Sequence, residues 1–141
     1  MTIGEKRPPV REVRFASIGS CVPPKVLTNA DLEKMVDTSD EWILTRTGIS
    51  ERHIADETIA ASDLSIPAAR IALERAGVLA GDLDAIVVAT VTPDTDFPST
   101  ACIVQAALGA TRAFCFDVSA GCSGFLYATQ VGRALIASGT A

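Results

Sequence analysis

The sequence predicts an α/β fold: a doubly wound parallel sheet layered with helices. Three observations predict it. Strand-length apolar runs alternate with helical patterns in the order β–(insertion)–α–β–α–β–α, the order in which crossover helices join parallel strands. The segment Ala85-Ile-Val-Val-Ala-Thr90 is an unbroken apolar run, which suits a parallel strand covered on both faces. The 141 residues are 48% apolar but only 5% aromatic, so Ala, Val, Ile and Leu must make the core, as in layered α/β packing.

Residues 12–19 alternate loosely and read as a first strand, broken by Pro23 and Pro24. Thr28 or Asn29 can cap a short helix through about Val36, with Asp31 placed to favour its N-terminus. Thr38 and Glu41 have capping-box spacing, and a second short helix follows, stopped at Gly48. Over 62–76, Leu64, Ala68, Ile71 and Ala72 share one helical face. Pro67 is tolerated only in a first turn, so the regular helix is expected to begin near Ser65 or to bend there, and Gly77 ends it. After the strand at 85–90, a loop carries Pro93, Asp94, Asp96 and Phe97-Pro98. Ser99 caps a helix through Leu108, closed by Gly109. Ala113 to Val118 is the next strand. The last helix, 122–138, has few polar positions and is expected to be mostly buried.

Residues 1–11, polar with Pro8 and Pro9, read as a disordered lead-in to one domain over 12–141. The chain stops at Ser138-Gly-Thr-Ala141, where a further strand is expected, and so the fold is expected to be incomplete. A net charge of −5 gives no reason to expect nucleic acid or an anionic membrane as a partner, and no apolar run is long enough to span a bilayer. No secretory signal is read at the N-terminus. The cysteines, Cys21, Cys102, Cys115 and Cys122, form no C-x-x-C pair, and His53 is the only histidine. No metal site is expected, and unpaired thiols suit a reducing cytoplasm.

The chemistry concentrates in Ala113-Phe-Cys-Phe-Asp-Val-Ser-Ala-Gly-Cys-Ser-Gly-Phe-Leu-Tyr127. It reads as a buried strand, a tight turn of small residues, and a helix starting at or beside Cys122. A thiol there sits at the positive end of a helix dipole, an environment that favours thiolate, and the small neighbours leave room for a substrate to reach the sulfur. Cys21, Cys102 and Cys115 are expected to be buried structural thiols. Trp42 and Arg46 lie four apart and share a helix face. An indole can stack on a purine while a guanidinium pairs with phosphate. The plainer readings are a helix anchor for Trp42, a solvated charge for Arg46, a loop anchor for Phe97, a hydrogen-bonded structural histidine for His53 and a solvated acidic loop for Asp94 and Asp96.

Three motifs in order, Val22-Pro-Pro-Lys-Val-Leu-Thr-Asn-Ala-Asp-Leu-Glu, Asp40-Glu-Trp-Ile-Leu-Thr-Arg-Thr-Gly-Ile-Ser-Glu-Arg-His-Ile54 and Asp117-Val-Ser-Ala-Gly-Cys-Ser-Gly-Phe125, resemble β-ketoacyl-acyl-carrier-protein synthase III. This family comprises the initiating condensing enzymes of type II fatty acid synthesis, with a duplicated thiolase-like fold. The resemblance runs from about residue 12 to the C-terminus and covers most of the first half of that fold. It implies acyl transfer from acyl-CoA, with acetyl-CoA as the expected donor, to Cys122. Decarboxylative condensation with malonyl acyl carrier protein would follow, in a cytoplasmic homodimer. The same resemblance implies that Trp42, Arg46 and Thr38 contact coenzyme A and that Phe97 shapes the acyl pocket of the neighbouring subunit. No cofactor is implied beyond the CoA thioester as substrate. Ser50 departs from the arginine some relatives carry there, removing one phosphate contact. The family's catalytic histidine and asparagine and a glycine loop lie in the second half, and His53 does not match that histidine, so the chain alone is expected not to condense. The alternatives are a starter-unit condensing enzyme of polyketide or quinolone biosynthesis, and a non-catalytic fragment.

Overall fold

The computed structural model describes residues 11–141; the expected lead-in at 1–11 lies almost entirely outside them. The elements run β1 (Val26–Thr28), α1 (Asn29–Leu32), α2 (Asp40–Thr47), β2 (Glu51–His53), α3 (Ala61–Ala76), β3 (Ala85–Ala89), α4 (Thr100–Leu108), β4 (Phe114–Val118) and α5 (Gly124–Ser138). Single 3-10 turns lie at Ala80–Asp82 and Gly121–Ser123.

Two small sheets organise the described residues. β3 and β4 pair in parallel, in register from Ala85 with Phe114 to Ala89 with Val118. α4 packs against both strands and α3, and α5 packs along β3. This β3–α4–β4 unit is the parallel crossover expected from the sequence. β1 and β2 form a separate antiparallel pair, Val26 opposite His53, enclosing α1 and α2. Among the described residues, no hydrogen bond joins residues 22–54 to the layer at 61–141.

The expected first strand at 12–19 joins no ladder. The chain there lies along α3 instead: the Ser17 hydroxyl donates to the Ala72 carbonyl at 2.6 Å, and Arg75 donates to the Ile18 carbonyl at 2.9 Å. A helix spends its own N–H groups internally, so it offers this segment no ladder, and an open groove separates Gly19 from β3. Gly19 is required here by close approach, because a Cβ would stand 2.1 Å from the Ala68 carbonyl oxygen.

Helix ends differ from expectation in three places. α1 closes at Leu32 rather than about Val36. The cap of α2 is Ser39, whose Oγ accepts the Trp42 N–H at 3.1 Å, not Thr38. α3 starts at Ala61 and runs through Pro67, four residues before the expected start at Ser65. The reason is a set of acceptors that local pattern does not reveal. The Asp63 carboxylate takes the Ala60 N–H at 2.9 Å, and Asp94, from the loop after β3, takes the Ser62 N–H at 3.0 Å. Gly48, Gly77 and Gly109 end α2, α3 and α4 in left-handed conformation, as expected.

α5 is not mostly buried. Phe125, Leu126 and Tyr127 stand exposed, and only Gly124 is buried. The core among the described residues gathers around α4: Ala101, Val104, Ala110 and Ala113 are buried there, and Ile43 is buried in the hairpin unit.

Candidate active site

Cys122 is exposed in the single 3-10 turn Gly121–Ser123, between the end of β4 and the first residue of α5. The expected strand–turn–helix presentation is thus present, with the helix proper beginning at Gly124. The turn needs Gly121, whose φ is +51°, a region that residues with a Cβ rarely enter. It is held from both sides. On the strand side, the Asp117 carboxylate accepts the N–H groups of Thr100 at 2.9 Å and Ala101 at 2.8 Å, satisfying the first turn of α4. On the helix side, Gly124 lets α5 approach β3, where a Cβ would lie 3.2 Å from that of Ala89.

The sulfur opens onto a groove of about 810 Å³ between α3, β3 and α5, walled by Gly19, Ala68, Val88, Val104 and Phe125. Most of these side chains are small and apolar, so the groove offers contact to a hydrocarbon and few polar groups to a charged one.

Trp42 and Arg46 do share a face of α2. The guanidinium carbon lies 4.8 Å from the centre of the indole ring, a cation–π distance, and the indole remains exposed. Thr38 is half-buried two residues before α2. The helix is set on the β1–β2 hairpin through Asn29, which is 2% exposed. Its amide nitrogen donates to Asp40 at 2.7 Å and to the Ile49 carbonyl at 2.9 Å, and its oxygen accepts from Arg52. His53 bonds the Pro23 carbonyl at 2.6 Å, which fits the structural reading of that residue. Phe97 is 91% exposed in the loop between β3 and α4, while Asp94 in the same loop caps α3 and accepts from Thr100.

The structure therefore gathers the expected residues in two groups. Thr38, Trp42 and Arg46 belong to the hairpin unit; Cys122 and Phe97 belong to the layer around β3 and β4. The positioning roles of Asn29, read only as a possible helix cap, and of Asp117 escaped the sequence reading. Their partners lie 11 to 23 and 16 to 17 residues away, beyond any local spacing rule. Cys102 and Cys115 are partly exposed rather than buried, as is Cys21.

No protein-family model matches the chain. Among curated proteins, it is 61% identical over 121 residues to the β-ketoacyl-[acyl-carrier-protein] synthase III of Caldanaerobacter subterraneus, covering 86% of this chain and 37% of that protein. It is 55% identical over 130 residues to the Koribacter versatilis synthase III, covering 92% and 39%. The chain belongs to the β-ketoacyl-acyl-carrier-protein synthase III family. It spans well under half the length of these synthase III relatives. Solved structures agree on the fold. The synthase III of Aquifex aeolicus superposes with a TM-score of 0.82 at 52% identity, over 88% of this chain and 40% of its own. The priming β-ketosynthase of the R1128 polyketide pathway does so at 0.86 with 35% identity, over 96% and 41%. The fold is thiolase-like, and this chain carries a part of it.

Proposed function

We propose that the whole protein is the initiating condensing enzyme of fatty acid synthesis and that Cys122 carries its acyl group. The Cys122 sulfur attacks the carbonyl carbon of an acyl-CoA thioester, acetyl-CoA first among candidates, and the tetrahedral adduct collapses with departure of CoA thiolate. The acyl-enzyme then condenses with malonyl acyl carrier protein, with loss of carbon dioxide. The observation that carries this reading is an exposed thiol on a glycine turn between strand and helix, opening onto an apolar groove. Trp42 supplies a face for the adenine, Arg46 a charge for phosphate and Thr38 a further contact to CoA. Phe97, projecting from its loop, bounds the acyl pocket of a partner subunit in a homodimer. The enzyme works in the cytoplasm without a metal or redox cofactor. Decarboxylation requires donors that the family resemblance places in a second half, so the 141-residue chain alone should not condense.

The test is intact-mass spectrometry of the chain after incubation with acetyl-CoA, beside Cys122→Ser. One acetyl group on the chain and none on the variant is the expected result. Equal labelling of the two would overturn the assignment of Cys122, and acetoacetyl product from the chain with malonyl acyl carrier protein would overturn the expectation that the chain alone does not condense. A second reading draws on the likeness to a priming polyketide ketosynthase. Selective acylation by aromatic or long-chain CoA in a primer panel would favour it, and preference for acetyl or short branched CoA would favour fatty acid initiation.

A further inference from the structure

Apart from Cys122, two further thiols are in contact with each other. Cys102 sits in the first turn of α4 and Cys115 near the start of β4. Their sulfurs are 3.3 Å apart, with the Cys115 thiol donating to Cys102 Sγ. The pair is held by groups on both sides. The Ser99 hydroxyl, which also caps α4, donates to Cys102 Sγ at 3.2 Å. Gln105 flanks Cys115: its Oε1 lies 3.3 Å from the sulfur as the alternative acceptor for the one S–H, while its Nε2 donates to the carbonyls of Ala110, at 3.2 Å, and Ala113. Asp117, two residues beyond Cys115 on the same face of β4, takes two N–H groups of α4 and pins the first turn of that helix to the strand. Both residues are of intermediate burial. To bond, the sulfurs must close from 3.3 Å to about 2.05 Å.

We propose that Cys102 and Cys115 form a redox-modification site, which a small-molecule disulfide converts into an intrachain disulfide joining α4 to β4. The roles follow from the surroundings. The Ser99 hydroxyl, with the Cys115 thiol, holds the Cys102 thiol below its ordinary value, whereas burial, with the Cys102 sulfur, pushes Cys115 up to about 11. Cys102 is therefore the attacking thiolate and Cys115 the resolving thiol. Cys102 attacks one sulfur of R–S–S–R, forming a mixed disulfide and expelling RS⁻. Cys115 then attacks the Cys102 sulfur, its proton passes to the second departing thiolate, and RSH leaves. In balance, two protein thiols are oxidised to one disulfide, and one small disulfide is reduced to two thiols. The site is separate from Cys122 and does not depend on acyl transfer.

The experiment uses the 141-residue chain carrying Cys21→Ser and Cys122→Ser, so that only the pair remains, with glutathione disulfide as oxidant. Intact mass and peptide mapping follow at intervals after acid quench, and the unsubstituted chain is mapped in parallel. The expected product is lighter by two hydrogens, retains no glutathione, is linked Cys102 to Cys115, and reverts with dithiothreitol. Adding Cys115→Ser should stop the reaction at one glutathione on Cys102. Carrying out the linkage in urea should slow it at least about tenfold, because the fold supplies the effective concentration. An end state of glutathionylated but unlinked protein, two unreacted thiols, or linkage as fast in urea as in buffer would each overturn the proposal.

Discussion

Single carboxylates decide the local geometry, and one of them makes a pH prediction. Asp31 Oδ2 accepts the Thr28 hydroxyl at 2.7 Å and its backbone N–H at 3.2 Å, while Oδ1 meets Lys34 at 3.0 Å. The Thr28 hydroxyl, with Lys34, lowers the Asp31 carboxyl from 3.8 to about 2. A group whose pKa is lower in the folded state contributes stability above its unfolded value and loses it as pH falls through the folded one. The α1 cap should therefore be intact at and above about pH 5, weaken below 3.8, and be lost near pH 2. Amide exchange at Thr28 and Asp31, followed from pH 5 downward, reads this directly. Asp31→Asn should flatten the profile; an unchanged profile in that variant would assign the acid response elsewhere. Replacing the cap itself, Thr28→Ala, should cost about 1 kcal/mol of local stability at neutral pH.

At the scale of elements, what was legible depended on whether the deciding contact was local. The Ser99-to-Gly109 span of α4, the Gly48 stop and the β4 strand were all readable, because caps, left-handed glycines and an apolar run act within a few residues. The Cys122 turn was readable for the same reason, and so was the Trp42–Arg46 face. The β1–β2 hairpin was not: each strand has three residues, β2 is Glu-Arg-His, and the partners lie 23 to 27 positions apart. Nor was the start of α3, set by Asp94 from another loop, nor the contact between Cys102 in a helix and Cys115 in a strand. Residues 12–19 show the limit of periodicity. Alternation fixes which side chains share a face, but a strand also needs a partner edge. This segment is fastened to α3 by Gly19, Ser17 and Arg75 instead. Gly19→Ala should therefore loosen it. Relieving a Cβ 2.1 Å from the Ala68 oxygen and 2.7 Å from the Ala72 nitrogen should cost about 1–3 kcal/mol. Faster proteolysis after Arg14, without a change in exchange across β3 and β4, is the expected signature; protection equal to the parent chain would mean that the segment is not held there.

For the whole molecule, surface outweighs core. Among the described residues, the buried hydrophobic core consists of Ile43, Ala101, Val104, Ala110 and Ala113. Among the described residues, the sheet that leads into Cys122 has two strands, fewer than usually stand alone in water. Phe125, Leu126 and Tyr127 form an exposed apolar run at the start of α5, and Phe15 stacks on Phe125 with centroids 6.5 Å apart while itself 72% exposed. Surface of this kind recruits partners, and unpaired strand edges add backbone groups seeking them. The isolated chain should therefore self-associate. Sedimentation velocity across a hundredfold range of concentration should show a weight-average mass rising above the monomer. Phe125→Ser with Tyr127→Ser should lower that mass at a given concentration without moving the midpoint of thermal melting upward. A monomer at every concentration, with one sharp cooperative melt, would mean that the exposed face of α5 is stable in water and that a core this small suffices.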